Sequence, residues 1–292
     1  MTSGIILGTV KFGVQDYGFS SSQLRSTHSE MLDLSYQCGI RTLDTSPRYG
    51  DSEQIIGAYH ANSGHKYFKV CTKVDNLEVQ SSESSRHIYS SVERSIRSLG
   101  VESIETLYLH QNEIEIIGDK CIMNALQELK FEGLVNKIGV SIYNRDECEF
   151  ALKSDLYDVI QLPVSIMDSF IYSELIDGRH TDKEIIARSV FLQGILFNRS
   201  GIESKVKQSV SMLEFLDKID KLVLEYEVDL LTMACAFVLS LPGVSGMIVG
   251  TSARENLLRI VNSSKLTIPA ELTSELCRLS FEYKEWGNPR NW

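Results

Sequence analysis

"IRTLDTSPRYGDSEQIIGAYHAN", residues 40–62, places a short apolar run, a polar loop and an amphipathic stretch in direct succession. The run "IRTLDTS" reads as a strand and "DSEQIIGAYHAN" as a helix, because the apolar spacing changes between them from two to nearly four. The loop between them carries Tyr49 and then Gly50, and the strand closes on Asp44. A plain solvated connection needs none of these.

The same strand-then-helix rhythm runs through the chain. "GIILGTV" precedes "SQLRSTHSEMLDLSYQCG", "YFKVCTKV" precedes "SSRHIYSSVERSIRSLG", and "IETLYLHQ" precedes "DKCIMNALQELKFEG". "VNKIGVSIY" leads to "RDECEFALKS", and "YDVIQLPVS" to a short helix in "SFIYSELID". "EIIARSVFL" is followed by two helical stretches, "SVSMLEFLDKIDKLVLEYEV" and "DLLTMACAFVLSL", and "GMIVGTS" by "ARENLLRIVNSS". That makes eight units, with "PAELTSELCRLSFEYKEW" as an additional C-terminal helix before the tail. Eight units in 292 residues match a (β/α)8 TIM barrel, expected as one domain over residues 1–292. A doubly wound sheet competes, but no G-x-G-x-x-G follows a strand and no G-x-x-x-x-G-K-[ST] occurs.

Composition narrows the partners. With 29 Lys and Arg against 39 Asp and Glu, the net charge is −10, which opposes nucleic acid as a bulk partner. An anionic cofactor is still compatible, since a few local cations and backbone N–H groups hold one. The six cysteines, Cys38, Cys71, Cys121, Cys148, Cys235 and Cys277, form no C-x-x-C pair and read as reduced thiols. No metal site is expected. The opening "MTSGIILGTV" lacks a basic n-region, and "LLTMACAFVLSLPGVSGMIVG" is interrupted by Pro242 and Gly243, so it reads as helix, turn and strand. A cytoplasmic location with no membrane partner is the expectation, as monomer or homodimer.

Chemistry in such a barrel sits where the strands end. There the chain offers Asp44, then Tyr49, Lys73, His110, Ser141 and Gln161. Singly, each has an ordinary reading: an Asx turn, a solvated lysine, a structural histidine, loop caps. Together, Asp, Tyr, Lys and His at three successive strand ends suit carbonyl reduction. A tyrosine of ordinary pKa near 10 is a poor proton donor at neutral pH. A neighbouring Lys73 ammonium is expected to lower that value, with Asp44 pairing to Lys73 and His110 orienting the substrate oxygen. A Schiff-base aldolase on Lys73 is a second reading, and a non-catalytic cofactor-binding regulator a third.

"LDTSPRYGDSEQIIG", "CTKV", "LYLHQ", "GVS" and "DVIQLP", in this order, resemble the aldo-keto reductases, and the resemblance spans about residues 4 to 261. It implies a catalytic tetrad of Asp44, Tyr49, Lys73 and His110, with Tyr49 as general acid. It also implies a nicotinamide cofactor, NADPH in preference to NADH, lying across the barrel mouth. Ser141 and Gln161 would hold its carboxamide. Arg188, Ser189, Phe191 and Gln193 in "ARSVFLQGILF", together with Thr9, would border the nicotinamide and pyrophosphate. Gly250, Thr251, Ser252, Arg254 and Arg259 in "VGTSARENLLRI" would take the adenosine end.

The chain also departs from the family pattern. Ile142 stands where an asparagine often follows the serine, and Arg188 where a stacking aromatic is common. Gly250 and Asn256 occupy the usual places of the bases that read a 2′-phosphate, so Arg254 and Arg259 are the substitutes. "LGTVKFGVQDYG" and "EWGNPRNW" are similar to a bacterial subgroup linked to surface-sugar metabolism, so the expected substrate is a sugar-like carbonyl. Phe12, Tyr17 and Trp286, with Phe19 and Trp292, are candidates to line its pocket.

Overall fold

The computed structural model describes residues 4–14, 26–64, 67–200, 202, 206–207 and 209–282. Eight parallel strands close on one another in chain order: β1 (Ile5–Gly8), β2 (Thr42–Asp44), β3 (Lys69–Val74), β4 (Ile104–Leu109), β5 (Val135–Ser141), β6 (Val159–Pro163), β7 (Glu184–Arg188) and β8 (Val244–Val249). Pairing of Ile5 with Met247 and Leu7 with Val249 seals β1 to β8. The fold is a (β/α)8 barrel.

Alternation along the strands separates two environments. Leu43, Val70, Leu107 and Leu109 point outward and pack beneath the helices in the large core. Cys71, Tyr108, Val159 and Ile186 point inward and fill the barrel axis. The inward series ends, at the C-terminal rim, on polar groups: Asp44 on β2, Lys73 on β3, Ser141 on β5 and Gln161 on β6. Register aligns Asp44 with Cys71, Lys73 with Tyr108, and Ser141 with Gln161. Tyr108 gains its room from Gly139, where a Cβ would lie 2.5 Å from the tyrosine ring.

The outer helices follow the sequence reading, with boundaries drawn by their caps. His28–Gln37 begins six residues later than the apolar pattern suggests, because Thr27 and Glu30 form a capping box. Asn144 and Glu147 cap Arg145–Lys153 in the same way. Ser82–Leu99 ends on Gly100 in the left-handed conformation. The interrupted apolar stretch resolves into the helix Leu230–Ser240, a turn at Pro242–Gly243, and β8. Two single-turn helices, Val10–Gly13 and Ile114–Ile117, follow β1 and β4; they are too short to leave a periodic signal. Among the described residues no helix is long and apolar enough to cross a membrane.

The Val10–Gly13 turn crosses the loop that carries Tyr49. A Cβ on Gly13 would sit 1.8 Å from the Tyr49 carbonyl oxygen, and Gly50 takes φ +53 against the same backbone. The glycine after the tyrosine is thus required by this backbone crossing. Gly13→Ala is expected to cost about 1–3 kcal/mol through overpacking, read by calorimetry as a fall of roughly 2–4 °C in Tm for each kcal/mol. An unchanged Tm would show that the crossing tolerates displacement.

Candidate active site

The C-terminal rim of the barrel opens into a cavity of about 1170 Å³. Asp44, Tyr49, Lys73 and His110 all line it. Lys73 Nζ donates to Asp44 Oδ1 at 2.6 Å and to the Thr45 carbonyl at 2.9 Å. The two side chains are only 3% and 6% exposed, so the pair is removed from water. The second carboxylate oxygen of Asp44 accepts from Gln161 Nε2 at 3.0 Å, and Gln161 Oε1 accepts from Ser141 Oγ at 3.2 Å. Burial alone would lower the Lys73 pKa, but Asp44 and then Tyr49 outweigh it and hold the ammonium above its ordinary value.

Tyr49 is half-buried, with its ring centroid 5.1 Å from Lys73 Nζ. Burial pushes its phenol above the ordinary value; Lys73 pulls it down and Asp44 pushes it back up. The expected lowering by Lys73 is present but does not win, because desolvation of the phenolate is the larger effect.

Local sequence explains why the Tyr49 loop stays in place. Thr45 Oγ1 donates to Ser52 Oγ, Ser52 Oγ to Thr9 Oγ1 at 2.8 Å, and Thr9 Oγ1 to the Asp44 carbonyl at 3.0 Å. This buried hydroxyl chain ties the ends of β1 and β2 to the start of the helix Ser52–Asn62. Thr9 lines the cavity, yet its hydroxyl is already used in that chain. Behind it, Glu53 accepts from Thr72 Oγ1 at 2.7 Å and fastens the same helix to β3.

The remaining expected cofactor residues divide. Ser189, Phe191 and Gln193 line the cavity beyond β7, in a segment where Ser189, Leu192 and Gln193 all adopt positive φ. Such backbone is costly for residues with a Cβ and clusters at functional sites. Gly250, Thr251 and Arg259 line the far end, at a helix whose N-cap, Ala253, contributes no side-chain bond to the first-turn N–H groups. An anion placed there would meet the helix N-terminus and the Arg259 cation.

Ser252 and Arg254 do not line the cavity. The Ser252 carbonyl accepts from Ser26 N at 3.1 Å, and Arg254 lies exposed on the side of Glu30. Arg254, the first residue of the helix Arg254–Ser263, is turned away from the rim, and Ser252 lies in the bend before its N-cap. Phe12 is also misplaced by the sequence reading: it is 5% exposed and stacks on His28 with ring centroids 4.8 Å apart. It packs the core. Tyr17, Phe19, Trp286 and Trp292 lie outside the described residues.

Arg188 lines the cavity with its guanidinium 3.8 Å from the Tyr143 ring centroid, and donates from Nη2 to the Ile142 carbonyl at 2.7 Å. The two departures noted in the sequence are therefore one arrangement: the backbone of Ile142 and the ring of Tyr143 hold Arg188. Sequence reasoning passed over Tyr143, although its position two residues beyond Ser141 in "GVSIY" gives it the same inward parity. Tyr108, under Lys73, was missed for the opposite reason, since it reads as one more apolar residue of β4.

The sequence profile of the Aldo/keto reductase family matches residues 4–279. The chain is 24% identical to the D-threo-aldose 1-dehydrogenase of a Pseudomonas species, over 94% of each chain. It is 24% identical to the NADH-specific methylglyoxal reductase of Escherichia coli K12, over 76% of this chain and 78% of that one. Among solved structures, an aldo-keto reductase from Bacillus halodurans superimposes with a TM-score of 0.67 at 22% identity, covering 86% of this chain and 85% of the other. The barrel and its rim thus define a nicotinamide-dependent oxidoreductase. The chain belongs to the aldo/keto reductase family.

Removing one member of a buried ion pair strands the other. Lys73→Met is expected to destabilise the protein by about 3–5 kcal/mol, measured by urea unfolding, because Asp44 keeps only the Gln161 amide. Equal midpoints for Lys73→Met and the wild type would mean that Asp44 is not held buried as described.

Proposed function

We propose that the protein reduces an aldehyde or ketone on a sugar or sugar-like substrate, with Tyr49 as the proton donor. One observation carries this reading: a phenol stands at the mouth of the cavity over a buried Lys73–Asp44 pair, with His110 beside it. A nicotinamide cofactor supplies the hydride when bound. Tyr49 then delivers a proton to the oxygen on which charge develops, and Lys73 offsets the phenolate left behind. His110 orients that oxygen. Asp44 keeps Lys73 charged and aimed, while Ser141 and Gln161 present a hydroxyl and an amide group, respectively, to the cofactor.

The sugar-like substrate is favoured by the D-threo-aldose dehydrogenase among the relatives. The reductive direction is favoured by Arg188, whose fixed cation in the cavity suits a neutral reduced nicotinamide better than an oxidised, positively charged one. For the cofactor, Arg259 supports NADPH as a cation at the adenosine end, although one relative is named as NADH-specific. The same reading takes the chain as one functional domain acting in the cytoplasm on a small carbonyl compound, as monomer or homodimer.

Fluorescence titration with NADPH and with NADH tests the cofactor first. Arg259→Ala is expected to weaken NADPH roughly tenfold, the loss of one charge-assisted contact, and to leave NADH unchanged. Failure of the wild type to bind either would sink the reductase reading.

With cofactor bound, Tyr49→Phe is expected to lower kcat on an aldose panel by roughly 10²–10⁴-fold while cofactor binding persists. The direction of the Tyr49 shift sets the pH profile. The phenol must be protonated to donate, so reductive kcat holds through neutral pH and falls only in alkaline solution as Tyr49 ionises. Oxidation of the alcohol, which needs the phenolate, rises over that same range. A reductive rate that climbs with pH would rule out Tyr49 as the donor.

A further inference from the structure

Outside the Lys73–Asp44 pair, side chains from the ends of β2 and β4 converge on one carboxylate oxygen carried by the loop after β3. Arg48, directly before Tyr49, makes an ion pair through Nε with Asp75 Oδ2. His110 Nδ1 lies 3.4 Å from the same oxygen. That separation is an ion-pair contact, longer than a good hydrogen bond. The Asp75 side chain is 12% exposed and that of His110 23%, whereas Arg48 is 61% exposed.

Backbone geometry builds the convergence. The His110 N–H donates to the Val74 carbonyl at 2.9 Å, which extends the β3–β4 ladder one rung beyond the strands and sets Asp75 alongside His110. Asn76 then turns the chain with φ 57, and its Oδ1 accepts from Arg48 Nη2 at 3.4 Å. Arg48 is thus gripped by two consecutive residues of the β3 loop.

We propose that Asp75 is a positioning residue for His110, and that Arg48 tunes it. This rests on the reductase reading, in which His110 orients the substrate oxygen. Asp75 faces the Nδ1 side of the ring at ion-pair distance, which favours a proton on that nitrogen and leaves Nε2 as the nitrogen for the cavity. Its negative charge favours the imidazolium, the form that donates a hydrogen bond from both nitrogens. Arg48 spends part of that charge, since it shares the same oxygen. The Asp75 carboxylate therefore sets how readily His110 carries a proton, and Arg48 limits it.

Other charged groups bear on the same ring. Tyr49 enters from the β2 loop, Lys73 from β3 and Arg188 from β7, all lining the one cavity, with Asp44 beneath Lys73. None is altered by substitutions at Asp75 or Arg48, so the two loop residues can be tested against a constant background.

The test is an NMR titration of the full chain labelled at its six histidines, with His110→Gln assigning the signal. In Asp75→Asn the His110 titration is expected to move to lower pH and the tautomer ratio to become mixed. In Arg48→Met it is expected to move the other way, to higher pH. With turnover, Asp75→Asn should lower kcat about tenfold, a fraction of a full acid–base contribution, with KM little changed. Unmoved His110 titrations in both variants, or shifts of the same sign, would overturn the proposal. Should Asp75→Asn not fold, exposed Arg48 carries the test alone. The titration needs no cofactor or substrate, so an inactive protein with opposite shifts would reject the reductase reading and leave the Asp75–His110 coupling standing.

Discussion

Lys73 and Asp44 sit where water scarcely reaches, and removing two charges from water costs several kcal/mol per ion unless attraction and hydrogen bonds offset it. The offset here is collective. Lys73 has the Asp44 carboxylate and the Thr45 carbonyl; Asp44 has Lys73 and the Gln161 amide; Gln161 has the Ser141 hydroxyl. These groups arrive from β2, β3, β5 and β6. Only a closed barrel brings a β2 side chain to one from β6 across the axis, so the ion pair requires the closure. In turn, the inward polar layer would be a liability in any fold that left it unpaired.

That layer sets the character of the rim. A phenol raised by burial sits above a lysine that burial fails to discharge, because the carboxylate beneath outweighs it. The two shifts share one origin in the dry interior, resolved differently: Lys73 has a full negative charge as partner, while at Tyr49 Lys73 pulls one way, Asp44 the other, and burial is the largest effect.

The barrel was legible because its signal is a parity. In "LYLHQ" and "CTKV", residues two apart face the same way, so an apolar run that ends in a polar residue also announces which side that residue joins. Asp44, Lys73, Ser141 and Gln161 could be placed by that rule, and Tyr49 by its loop. Helical loops follow no such rule. Phe12 looked like a pocket aromatic, but the single turn Val10–Gly13 rotates it onto His28. Arg254 and Arg259 looked equivalent in sequence; five residues along a helix turn the chain well over once, and only Arg259 reaches the rim. Arg188 was visible as an anomaly, but its partner was not, because stacking on Tyr143 joins residues of β7 and the β5 loop with no common sequence signal.

Closure has a further consequence for how the chain reaches this state. The seam joins Ile5 to Met247, so the first strand waits for the last one before both of its edges are paired. On a ribosome β1 emerges long before β8, and during that interval it offers an open backbone edge to any other extended segment. Contacts of such long sequence separation slow folding, because the loop they close must first be ordered. The brevity of β1, Ile5–Gly8, then acquires a second meaning: a four-residue edge is a poor template for the wrong neighbour.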